Sequence, residues 1–90
     1  MKPSKYDPKI MPSFNFYRSW VGMFRALDLD DRAILLNWCC WYCFEQSEPN
    51  LTEKWISDEL ANAWESLRPE LEKQLSKWTY YANMKNNEDF

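Results

Sequence analysis

From Ala33 to Phe44 the chain reads AILLNWCCWYCF, apolar at every position except Asn37. A run of this length is longer than a buried strand and fits a helix. It is also shorter than the roughly 18 residues a membrane span needs, and no other run reaches that length. A helix that is apolar all round has neighbours on several sides. The expectation is therefore a central helix from Asp30 to Gln46, with Asp28 as its cap and Asp30 and Asp31 at the positive end of its dipole.

The second half of that run, Asn37-Trp38-Cys39-Cys40-Trp41-Tyr42-Cys43-Phe44, raises a question of chemistry. Cys40-x-x-Cys43 has the spacing of zinc knuckles and of thiol oxidoreductases. A structural zinc site takes four ligands, and this chain offers three thiols and no histidine. Redox dithiols sit at helix N-termini, where the dipole lowers the thiol pKa. These cysteines lie deep within the predicted helix. Cysteine also behaves as a small buried hydrophobe. The segment reads as core packing, in which small thiols beside large indoles let helices nest, and no metal or cofactor is expected. Asn37 marks the wet edge.

Gly22 is the only glycine among the 90 residues. Tight hairpins and phosphate loops both draw on glycine, so an all-β fold and nucleotide-loop chemistry are excluded. Ninety residues make one domain, which buries about 60–70% of the surface its unfolded chain exposes. That is room for one core and little for a deep substrate chamber. Sixteen aromatic residues decide how that core is built. The start, MKPSKYDPKIMPSF, has no apolar segment of the kind a signal peptide carries. Three cysteines cannot all pair within one chain. Together these features point to a reduced, cytoplasmic setting.

The remaining pattern is helical. Residues 1–13 hold Pro3, Pro8 and Pro12 and read as an extended N-terminal arm. A first helix is expected from Phe14 to Leu27, capped by Ser13, with Tyr17, Trp20, Val21, Phe24 and Leu27 on one face and Gly22 placed for close approach of another helix. A third helix is expected from a Thr52 cap, with Ile56, Leu60, Ala63, Trp64 and Leu67 buried. Pro69 either opens a fourth helix or kinks the third at Arg68. The stripe continues through Leu71, Leu75, Trp78 and Ala82, and residues 86–90 form a polar, fraying tail. The fold class is all-α: a compact bundle of three to four helices over residues 14–85, with a central apolar helix and the arm before it.

Candidate functional residues follow from what this core leaves outside. Trp78, Tyr80 and Tyr81 cannot all face one core, and Trp55 stands next to a stripe already filled by Ile56. Exposed aromatics favour protein interfaces, unless the arm covers these rings. Asp58, Glu59 and Glu65 lie on the outer side of the third helix, as a solvated face or as a surface for a basic partner. The acid pairs Asp30/Asp31 and Glu70/Glu72 sit at helix starts, where capping accounts for them. The charge is uneven. Residues 1–25 carry five Lys and Arg against one acid, and residues 26–90 carry six against thirteen. A nucleic-acid surface would have to use the front end: Lys2, Lys5, Lys9, Arg18 and Arg25. Arg18, amid FNFYRSW, is equally placed to stack on a ring or pair with an acid.

Four motifs in order, Phe16-Tyr17-Arg18-Ser19-Trp20, Leu27-Asp28-Leu29-Asp30-Asp31-Arg32, Glu48-Pro49-Asn50-Leu51 and Arg68-Pro69, resemble a small helical domain family of phage and prophage genomes, often found near replication genes. The resemblance covers about residues 14–80 and rests on order and spacing together. The chain departs from the family at Gln46-Ser47, where a glycine is usual, and after Pro69, where Glu72, Gln74 and Leu75 replace a basic, Asn-bearing stretch. The family has no settled activity, so the resemblance implies origin more than mechanism. The expected function is non-enzymatic: a phage or mobile-element module that binds a host or phage protein complex sterically, possible forms including inhibition of a host defence system and self-association. The alternatives are a nucleic-acid-associated replication accessory and a small structural component of a phage particle tethered by its arm.

Overall fold

The computed structural model describes residues 7–88. Among them there are three helices and no strand. A 3-10 turn, Arg18–Trp20, leads into α1, Val21–Arg25. Helix α2 covers Leu29–Cys40 and continues as a π turn, Trp41–Glu45. Helix α3 runs unbroken from Asp58 to Glu88.

At about 1.5 Å per residue, the 31 residues of α3 form the spine of the molecule. The N-terminal segment runs antiparallel along it. The carbonyl of Asp7 accepts from Trp78 Nε1, Asn15 meets Gln74, and Trp20 Nε1 donates to Glu70. Helix α2 then returns parallel to the first half of α3 in a constant register. Asp31 lies beside Ser57, Trp38 beside Trp64 and Tyr42 beside Arg68. The core lies between these layers, where Trp20, Leu35, Cys39, Cys43, Leu60, Trp64, Leu67 and Leu71 are fully enclosed.

Several boundaries differ from the sequence expectation, each for a local reason. The first helix is short because Phe14–Tyr17 is held extended by Gln74. The Asn15 N–H donates to Gln74 Oε1 at 2.7 Å, and Gln74 Nε2 donates to the Asn15 carbonyl at 3.0 Å. Ser13 therefore caps nothing, and the helical turn opens after extended Tyr17. Gly22 admits no close neighbour: a Cβ there would meet nothing within 4 Å. Thr52 is drawn into a turn by Asn50 Oδ1, which accepts from both its N–H and its hydroxyl. The cap of α3 is instead Ser57, whose Oγ accepts from the Leu60 N–H and donates to Asp31. Asp28 does occupy the cap position of α2, but its carboxylate makes no cap bond there.

Pro69 neither starts a helix nor ends one. It lies on the exposed side of α3, four residues after exposed Glu65, so the carbonyl it leaves without a donor faces water. The tail is helical through Glu88, one turn further than expected. Lys85 stands over the Tyr81 ring in that last turn, where a cation also complements the helix dipole.

The helix expected at the centre is covered on one side only. Leu35, Trp38, Cys39, Tyr42 and Cys43 face α3 and are buried, whereas Leu29, Ala33, Leu36, Asn37, Trp41 and Phe44 face outward. Both the N-terminal segment and α2 pack along the spine. The overall extents, 49 × 27 × 17 Å, are those of an elongated slab. The π turn has a clear packing role. Its wider rotation keeps the adjacent Tyr42 and Cys43 both on the buried side and carries Phe44 back into line with Leu36 and Cys40. Gln46 ends it in the left-handed region, at φ 54°.

Candidate protein-docking surfaces

The cysteines belong to the interior. Cys39 and Cys43 have no exposed surface, and Cys40 is half-buried. Burial, with smaller contributions from the neighbouring thiols, pushes Cys39 up to about 12. Burial followed by Cys40 pushes Cys43 up to about 11. Both therefore stay protonated at neutral pH, the form that neither attacks nor ligates. Among the described residues no three His, Cys, Asp or Glu side chains come together to hold a metal ion.

Three of the four acids singled out as pairs have structural partners. Asp31 accepts from Ser57, Glu70 accepts from the Trp20 indole at 2.6 Å, and Glu72 pairs with Arg68 at 3.5 Å. Arg68 also pairs with Glu48 and lies over the Tyr42 ring, 5.8 Å from its centroid.

The partner-binding candidates fall into two groups at opposite ends of α3. Trp55 is 60% exposed, its ring 6.3 Å from that of Trp38 in the core. Asp58, Glu59 and Glu65 follow, all exposed. Tyr80 is 69% exposed, about 33 Å further along the helix axis. Tyr81 is also exposed and stacks near Trp78. Trp78 itself is half-buried, because Asp7 and Pro8 of the arm lie against it and Thr79. Asp7 and Pro8 thus cover part of Trp78, while Tyr80 is exposed.

One continuous face of α3 joins the two groups. Asp58, Asn62, Glu65, Pro69, Glu72, Ser76 and Tyr80 follow the 4-3-4 spacing of a single helical stripe, and every one is exposed. The stripe contains no Lys or Arg. Glu59 and Tyr81 turn off this line; Glu59 borders a groove with Met23, Ala26 and Leu27. Sequence reading listed the two ends of this surface but missed its middle, although the spacing from Asp58 to Tyr80 was there to be followed.

Three of the five basic candidates lie among the described residues. Lys2 and Lys5 lie outside the described residues. Lys9 is exposed on the arm, where its carbonyl accepts from Gln46 Nε2. Arg18 and Arg25 are exposed near α1. The ion pairs among the described residues are those of Arg68, so Arg18 has no acid partner there.

A second surface went unrecognised in the sequence. The outer side of α2 exposes Leu29 (75%), Leu36 (45%), Trp41 (46%) and Phe44 (37%), with Phe16 beside it. The signal was the unbroken apolar run itself, which supplies two faces when only one is covered.

No protein-family model, no curated protein and no solved structure matches this chain. Among the described residues no helix is long and apolar enough to cross a membrane.

Proposed function

We propose that the chain is a non-enzymatic protein-binding module whose docking surface is the outer stripe of α3 with Trp55 at one end and Tyr80 at the other. The exposure of Trp55, just before α3, and of Tyr80, on the acidic outer stripe of α3, carries the reading. Aromatic side chains supply most of the energy at protein interfaces. The charge of the stripe selects a basic partner and steers its approach. A protein of a nucleic-acid-handling complex, with its own basic surface, has the matching chemistry. On this reading the module occupies that surface and blocks or recruits it sterically. A phage or mobile-element origin, with a host defence complex as one target, accords with the motif resemblance.

Affinity capture from host cells tests the proposal when the native chain is run beside Trp55→Ala and Glu65→Lys. A partner retained by the native chain and lost from both variants is the expected result. The same proteins recovered with all three would refute the assignment of the surface. A second reading, a replication accessory on nucleic acid, is favoured by the exposure of Arg18 and Arg25 outside any ion pair among the described residues. It requires binding to DNA at low salt that weakens steeply as salt rises.

A further inference from the structure

We infer that the outer face of α2 is a seam between two copies of this chain, packed with their α2 helices parallel about a two-fold axis. The face has the pattern of such a seam. Leu29, Ala33, Leu36 and Cys40 repeat at the alternating 4-3-4 spacing of a two-stranded helical zipper, and the π turn brings Phe44 onto the same line. Leu29, Leu36 and Phe44 are large and exposed, while Ala33 and Cys40 between them are small, so the two helices approach closely where the seam is narrow. No charged residue stands on this line.

The edges of the stripe identify the occupant as a second copy and set its direction. Along one edge runs a groove lined by Phe16, Phe24, Arg25, Arg32, Ala33 and Leu36. Arg25 is exposed and outside the ion pairs seen among the described residues; Arg32 is half-buried and holds the carbonyls at the end of α1 through Nε and a terminal nitrogen. Along the other edge stand Asp30, Asn37 and Trp41, all exposed. A two-fold axis parallel to the helices sets the first edge of each copy against the second edge of the other. Arg25 and Arg32 then meet Asp30, and this happens twice by symmetry. An antiparallel pair would oppose like edges and bring the arginines together. The face is thus complementary to itself in one orientation.

Parallel packing also places Cys40 of one copy against Cys40 of the other on the seam, while Cys39 and Cys43 stay enclosed. The proposal is tested on the full chain by sedimentation and by mild oxidation with copper phenanthroline, with circular dichroism as the check on folding. The expected native mass is twice 11.0 kDa. Leu36→Glu, on an exposed position, raises the dissociation constant roughly 30-fold or more, as the loss of a central interface residue does. Arg25→Glu weakens the pair, and adding Asp30→Arg restores it. Oxidation yields a covalent dimer that Cys40→Ser abolishes. A monomer at every concentration, a dimer indifferent to Leu36→Glu, or an oxidised Ala33→Cys variant that links residue 33 to Cys40 in preference to Cys40 to Cys40 would overturn it.

Discussion

Cys39 and Cys43 illustrate how a reactive residue type is silenced by place. Burial holds both thiols protonated, at about 12 and about 11 against an ordinary 9.0. A folded-state pKa raised in this way stabilises the protein fully below the unfolded value. That stability disappears as pH climbs from about 9.0 through 11 to 12. Chemical denaturation across pH 8–12 should therefore show a decline that is shallower in Cys39→Ala than in the native chain, the difference isolating this thiol from lysines and tyrosines that titrate nearby. At neutral pH a maleimide should modify Cys40 first, with Cys39 and Cys43 reacting only on unfolding. The interior role of Trp38, Cys39 and Cys43 was legible from residue type, since no fourth ligand or imidazole was present, whereas Trp41 of the same segment is exposed. What residue type did not reveal was that Cys40 stands apart from its neighbours, half in water.

Among elements, α3 owes its start to one hydroxyl. Ser57 Oγ accepts from the Leu60 N–H at 3.1 Å and donates to Asp31 at 2.9 Å, so it caps α3 and ties it to α2. Ser57→Ala should cost about 1 kcal/mol for the cap, and somewhat more for the link to Asp31. A double-mutant cycle with Asp31→Ala, measured by urea unfolding, separates the two contributions. The existence of α2 and α3 was readable from their apolar spacing. Their ends were not, because side chains distant in sequence decide them. Gln74 captures the backbone of Asn15 and keeps residues 14–17 out of the first helix, and Asn50 claims Thr52 before it can cap. Pro69 misled for a related reason. A proline interrupts a buried helix, but on a solvent face the lost bond is made good by water.

At the scale of the whole molecule, residues 7–13 of the arm are part of the fold. Met11 is 4% exposed and packs into the same core as Trp20 and Leu71. Met11→Ala should destabilise the chain by about 2–5 kcal/mol, the range for a large core side chain, as measured by thermal unfolding. A loosely attached tether would show almost no change. The surface was only half legible in the sequence. Exposed aromatics at Trp55 and Tyr80 followed from crowding, whereas the bare outer side of α2 did not, since an apolar run alone does not reveal how many neighbours it has. Helix α2 packs on the spine, meets the end of α1 and Phe14 along its flank, and leaves Leu29, Leu36 and Trp41 exposed. The apolar seam of α2 and the acidic stripe of α3 are separate surfaces on different helices and share no residue. A pair joined at α2 therefore carries two such stripes. With two stripes a second contact to a basic target becomes intramolecular, and tethering in this way raises avidity by roughly 10²–10⁴ with no new chemistry.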